Sequence, residues 1–272
     1  MISKLFLIRL RIILVLIILK YLRNNNKTLS TYSIDKSLVL VHGSCHGGWC
    51  WNKMIPFLKM YDHEIYTPTL TGLGERSHIL YESINLSTHI NDIVQVFEYQ
   101  DLYDVVLVGH SYGGMVIGGV AEKIPDRIRS MVFLDAYIPQ DGKSGFDLIP
   151  GLRDIYEQRR LKEEGKNWLV LSYTPEEFGV TNNDDINWMK SRLCPMPFHT
   201  HDEPLSIKEI KPKRLSRTYI TCTDFGDSMF HSIKSKESDG WDYFELRRGH
   251  DSMITAPEEL SRLLLKIINN ND

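Results

Sequence analysis

The chain has little of what would settle its class at a glance. Its 272 residues contain four cysteines, Cys45, Cys50, Cys194 and Cys222, and none stands at the spacing of a zinc site. Neither a disulfide framework nor a cysteine-based metal centre is indicated. The formal net charge is -3, and no block of basic residues is interleaved with aromatics, so no nucleic-acid surface is expected. No GxGxxG pattern follows the first strand, which leaves a dinucleotide cofactor without a phosphate cradle. Internal repeats are absent, and no uncharged apolar run approaches the roughly 20 residues of a membrane span.

The most apolar stretch comes first. Leu5 to Leu22 is aliphatic but interrupted by Arg9, Arg11 and Lys20, leaving Ile12 to Leu19 free of charge. That fits the hydrophobic region of a signal peptide better than a span, although no small-x-small cleavage site follows. A signal anchor or an amphipathic membrane-surface segment is a further reading, because the basic side chains can snorkel. Membrane association or secretory targeting through this leader is weighed evenly against a disordered or spurious leader. Residues 1–34 are therefore set apart as leader and polar linker, and 35–272 as the folded domain.

Beyond the linker, short aliphatic runs alternate with helical patterns. Ser37 to His42, Glu64 to Tyr66, Val105 to Gly109, Arg129 to Leu134, Arg217 to Cys222 and Tyr243 to Leu246 read as strands. Between them, Thr88 to Tyr99 carries Ile90, Ile93, Val94 and Phe97 at helical spacing, and Pro257 opens a closing helix. This alternation predicts an α/β fold with a mostly parallel sheet flanked by helices on both faces. Ala136 to Leu215 breaks the rhythm. A stretch this long without a convincing sheet strand predicts an inserted helical cap at about 137–215, with helical pieces over Asp154 to Leu169 and Asp184 to Arg192.

Chemistry concentrates at Gly109-His110-Ser111-Tyr112-Gly113. A serine between two glycines, at the end of a buried strand and the start of a glycine-rich helix, fits a tight turn that lifts the hydroxyl off the sheet. Ser111 is the working nucleophile. It needs a base, and the base needs a carboxylate to fix its tautomer. His250, just past the last strand, is the strongest base. For the acid, Asp227 is preferred over its neighbour Asp224, with Asp135 a third possibility. Backbone amides of Tyr112 and Ser44 are the expected oxyanion donors, with Gly43 permitting the required backbone shape. His110 is expected to pack beneath the turn, and His42 and His46 to position the first loop. Cys45 lacks a partner as a rival nucleophile. His199-Thr200-His201-Asp202 reads as solvated polar groups of the cap rather than as metal ligands. Trp188, Met189, Phe198 and Tyr137, with the loop Thr67 to Ser77, are candidates to shape a pocket.

Six stretches, VLVHGSCHGGWCW, PTLTGLGERSH, LVGHSYGGMV, MVFLDAYIP, FGVTNNDDINW and GHDSMITAPEEL, give the chain a strong resemblance to the α/β-hydrolase superfamily. Within it the chain resembles the small microbial esterases related to plant methylesterases and hydroxynitrile lyases, over nearly all of Lys36 to Ile268. The resemblance implies a cofactor-free α/β-hydrolase fold, a small-molecule ester substrate, and a Ser-Asp-His triad transferred to Ser111, Asp227 and His250. It departs from the hydroxynitrile lyases at two points. They place lysine after the catalytic histidine, where this chain has Asp251, and threonine where it has Gly43. Hydrolysis is thereby favoured over the alternatives, a lyase-like reaction or a non-catalytic ligand receptor on the same fold.

Overall fold

A computed structural model describes residues 36–207, 215–224 and 240–270, which fall in the compact unit Asp35–Asp272. The expectation for the apolar leader lies outside them. Among the described residues eight strands form: β1 (Ser37–Val41), β2 (Glu64–Tyr66), β3 (Val105–His110), β4 (Ile128–Leu134), β5 (Leu169–Val170), β6 (Met196–Pro197), β7 (Ser216–Cys222) and β8 (Asp242–Leu246). Six build one sheet in the order β2-β1-β3-β4-β7-β8, and every neighbouring pair runs parallel.

The continuous aliphatic runs reflect burial on both faces of this sheet. Successive side chains of a strand point to opposite sides, so each strand feeds two cores. Val39, Val41, Val105, Leu107, Met131 and Phe133 enter one. Leu38, Leu40, Val106, Val108, Val132 and Leu134 enter the other. Burying each such side chain contributes about 1.5–3 kcal/mol against leaving it in water.

The first core is closed by α1 (Leu86–Tyr99) and α2 (Gly113–Lys123). Asn85 starts α1 by accepting from the Thr88 amide at 3.0 Å, in a reciprocal capping box. Two glycines let α2 approach its neighbours. A Cβ on Gly119 would lie 2.2 Å from Ile90 of α1, and one on Gly114 would lie 2.1 Å from the Tyr137 carbonyl oxygen.

After β4 the chain leaves the sheet for a long excursion that includes α3 (Leu152–Arg159), α4 (Asn183–Lys190) and α5 (His199–Asp202). It also holds the antiparallel pair β5 and β6, which the sequence pattern did not reveal. The helix expected to reach Leu169 stops at Arg159. Arg160 turns to an extended ψ of 138° and bridges Val170, and Gly165 takes a left-handed φ of 76°, so the chain doubles back. On the far face, α6 (Pro257–Asn270) completes the second core with Leu260, Leu264 and Ile267. Among the described residues no helix is long and apolar enough to cross a membrane.

Candidate active site

Strand β3 ends at His110, and Ser111 follows in the left-handed region at φ 54°. Its amide donates to the Leu134 carbonyl at 3.2 Å, and its carbonyl accepts from Gly114 at 3.0 Å and Tyr137 at 3.0 Å. The turn is thus pinned to the end of β4 as well as to α2. Gly43, at the end of β1, lies directly against it: a Cβ there would stand 2.8 Å from the Ser111 Cβ. Lack of room, rather than the unusual backbone shape expected from the sequence, is what requires glycine. The left-handed residue of this loop is Cys45, at φ 64°.

Asp135 follows β4 as Ser111 follows β3, and it too is left-handed, at φ 42°. It is fully buried. Its Oδ1 accepts from the Cys222 amide at 3.2 Å, and its Oδ2 receives His250 Nδ1 at 2.6 Å. The Nδ1 proton is therefore held by the carboxylate, which leaves Nε2 of a neutral His250 as the proton acceptor. Burial opposes protonation of His250, but the Asp135 hydrogen bond and the charges of Asp135 and Asp251 outweigh it and raise the pKa above its ordinary value.

Four further buried histidines brace the loops around this pair. His42 donates Nδ1–H to the Gly43 carbonyl at 2.8 Å and accepts the Leu70 amide on Nε2 at 3.1 Å, tying the first loop to the Thr67–Ser77 loop. His89 donates to the Thr71 carbonyl at 3.0 Å, so its Nδ1 accepts from the Tyr112 hydroxyl at 3.0 Å. His110 lies beneath the turn, with Nε2 3.1 Å from the His250 carbonyl. Both ring nitrogens of His46 face acceptors, the Ser44 carbonyl at 2.7 Å and the Asp251 carboxylate at 3.2 Å. Burial drives the pKa of His42 down to about 3 and of His89 to about 4, so both stay neutral at physiological pH. His110, His250 and Asp251 hold potential metal-ligand atoms within 4.8 Å of one another. In both histidines one ring nitrogen already serves the protein, His110 Nε2 on the His250 carbonyl and His250 Nδ1 on Asp135.

Ser111, Tyr112, Ser44 and His250 thus gather at the ends of β1, β3 and β8. Asp227, the acid preferred from sequence, lies outside the described residues. Asp224 is exposed, with its amide on the Arg248 carbonyl at 3.1 Å. The carboxylate on His250 is Asp135, ranked third from sequence. Of the pocket candidates, Tyr137 and Phe198 join the aromatic cluster beside Tyr112 with Phe146 and Tyr156. Met189 and Trp188 pack in the other core, the latter against Trp49. His201, expected to be solvated, is fully buried against Ser44 and Tyr112. Only its apolar neighbour Phe198, at helical distance, hinted at that inward face.

The family profile described as "Alpha/beta hydrolase family" matches residues 38–263. A carbendazim hydrolyzing esterase from Nocardioides sp. (strain SG-4G) is 35% identical over 238 residues, covering 84% of this chain and 98% of the relative. Methyl jasmonate esterase 1 from Vitis vinifera is 30% identical over 259 residues, covering 87% of this chain and 98% of that relative. Among solved structures, an extracellular alpha/beta-hydrolase from a Paenibacillus species superposes with a TM-score of 0.75 at 26% identity, covering 85% of this chain and 98% of that one.

Proposed function

Because the chain belongs to the alpha/beta hydrolase family and is a carboxylic ester hydrolase, we propose that it acts through an acyl-enzyme on Ser111, with His250 as base and Asp135 as the acid that orients it. The observation that carries this reading is the 2.6 Å contact of His250 Nδ1 with buried Asp135, beside a serine raised on a left-handed turn. His250 Nε2 takes the Ser111 proton as the hydroxyl oxygen attacks the ester carbonyl carbon. The carbonyl electrons move to oxygen, where the amides of Ser44 and Tyr112 receive them. Collapse of the tetrahedral intermediate expels the alkoxide, which takes the proton from His250 and leaves as the alcohol. Water, deprotonated by His250, then releases the acid and restores Ser111.

The excursion between β4 and β7 serves as the cap in this reading, with Tyr137, Phe146 and Phe198 on the apolar side of the substrate. Small methyl and aryl esters suit a site framed by these rings. A lyase-like reaction is disfavoured, since a threonine in place of Gly43 would collide with Ser111 and the lysine position holds buried Asp251.

The test is hydrolysis of p-nitrophenyl esters, carbendazim and methyl jasmonate by the full chain and its variants. Ser111→Ala and His250→Ala should abolish turnover. Asp135→Asn should lower kcat by about 10³–10⁴-fold, the scale for removing a buried acid from such a triad, while Asp227→Asn stays near wild type. The reverse order for the two aspartates would move the acid to Asp227, and full turnover by Ser111→Ala would end the serine mechanism.

A further inference from the structure

We propose that His201, on the short helix α5 of the excursion, is a positioning residue for the oxyanion hole, holding both of its donor residues. The inference rests on the acyl-enzyme reading above and names a component which that chemistry does not require in general. His201 Nε2 stands 3.2 Å from the Ser44 hydroxyl and 3.1 Å from the Tyr156 hydroxyl, and these two hydroxyls are 3.4 Å apart. Its Nδ1 is 3.1 Å from Thr200 Oγ1. That hydroxyl has one proton and donates it to the Pro197 carbonyl at 2.7 Å. Nδ1 must therefore carry the hydrogen of its bond to Thr200, and Nε2 is left bare as the acceptor for the Ser44 hydroxyl, which in turn accepts from Tyr156.

The same imidazole lies flat on Tyr112, with ring centroids 4.6 Å apart and planes inclined by 26°. One side chain thus touches both residues whose amides receive the oxyanion, Ser44 by a hydrogen bond and Tyr112 by stacking. Tyr112 is clamped from its far end by His89. Burial keeps His201 neutral by pushing its pKa down to about 3, so the acceptor on Ser44 persists across the working pH range. A residue needed only to fill space would be served by an aromatic ring without nitrogens, as Phe146 and Phe198 are beside it.

The experiment compares wild type with His201→Phe, which keeps the stack and loses the acceptor, and His201→Gln, which restores an acceptor. The readout is the rate at which a p-nitrophenyl alkylphosphonate labels Ser111, followed by intact-protein mass spectrometry, since phosphonylation places negative charge in the same oxyanion hole. Kinetics on the best ester provide the kcat and KM split. His201→Phe should slow labelling and kcat by about tenfold to a hundredfold with KM changed far less, the scale for a donor displaced by a fraction of an ångström or lost. His201→Gln should recover most of that loss. If His201→Phe does not fold, as judged by circular dichroism, Ser44→Ala breaks the same bond from its other end and should show the same slowing. Labelling of Ser111 at the wild-type rate in the folded His201→Phe protein, or in Ser44→Ala where that is the variant used, overturns this proposal and leaves the serine mechanism standing. Failure of wild type to label at Ser111 overturns the serine mechanism, and this proposal with it.

Discussion

Ser111 is held at φ 54° and Asp135 at φ 42°, a region that costs a non-glycine residue on the order of 1–2 kcal/mol. The strain predicts that Ser111→Gly is more stable than Ser111→Ala, by roughly 0.5–1 kcal/mol in a denaturation series. With His250 as the proposed base, its raised pKa should set the acid side of the activity profile. Its base form is lost as pH falls through a value above 6.5, so kcat/KM should decline on the acid side from a midpoint above the ordinary histidine value. In Asp135→Asn that midpoint should move down, because the hydrogen bond to the charged form and the charge that raised it are gone. Ser111 was readable because its signature is local, five residues around one turn. The partnership of Asp135 with His250 spans 115 residues of sequence, and nothing in the spacing distinguishes its carboxylate from that of Asp227. His201 was misread for the same kind of reason: HTHD is polar in any window, and only the packing of α5 against Ser44 and Tyr112 makes it interior.

At the scale of elements, the helices facing the sheet are set by close approach. Alanine is a better helix former than glycine by about 1 kcal/mol, yet Gly114→Ala should destabilise. Its Cβ would fall 2.1 Å from the Tyr137 carbonyl oxygen, and crowding a packed interface costs about 1–3 kcal/mol. Urea denaturation would measure the sign directly. The sheet strands were legible because β1, β3 and β4 carry continuous apolar runs, Leu38–Val41, Val105–Val108 and Met131–Leu134, as double-sided burial demands. The excursion was less so. Its helix α3 ends where Arg160 joins Val170 in a bridge, a pairing of distant backbone groups that leaves no periodic trace.

Across the whole molecule, burial of neutral histidines couples the fold to pH. His42, His89, His110 and His201 all titrate below 6.5 in the folded protein, so over that range the unfolded chain binds more protons than the native one. Stability from these groups is fully present above pH 6.5 and is lost progressively as pH falls through their lowered values, about 3 for His42 and His201 and about 4 for His89. His250 acts in the opposite sense. Melting temperatures should therefore begin to fall below about pH 6.5, before carboxylates with ordinary values near 4 start to titrate. An unchanged melting temperature between pH 7 and pH 5 would contradict this coupling. The placement of Asp135 has a consequence for engineering. In the proposed triad the acid directly follows β4, next to the serine's own strand, so serine and acid are carried by adjacent strands at the middle of the sheet. A tag or a reporter domain could then be grafted at the exposed turn around Gly165, between α3 and β5, while the reaction centre, wired through neighbouring strands, is left undisturbed.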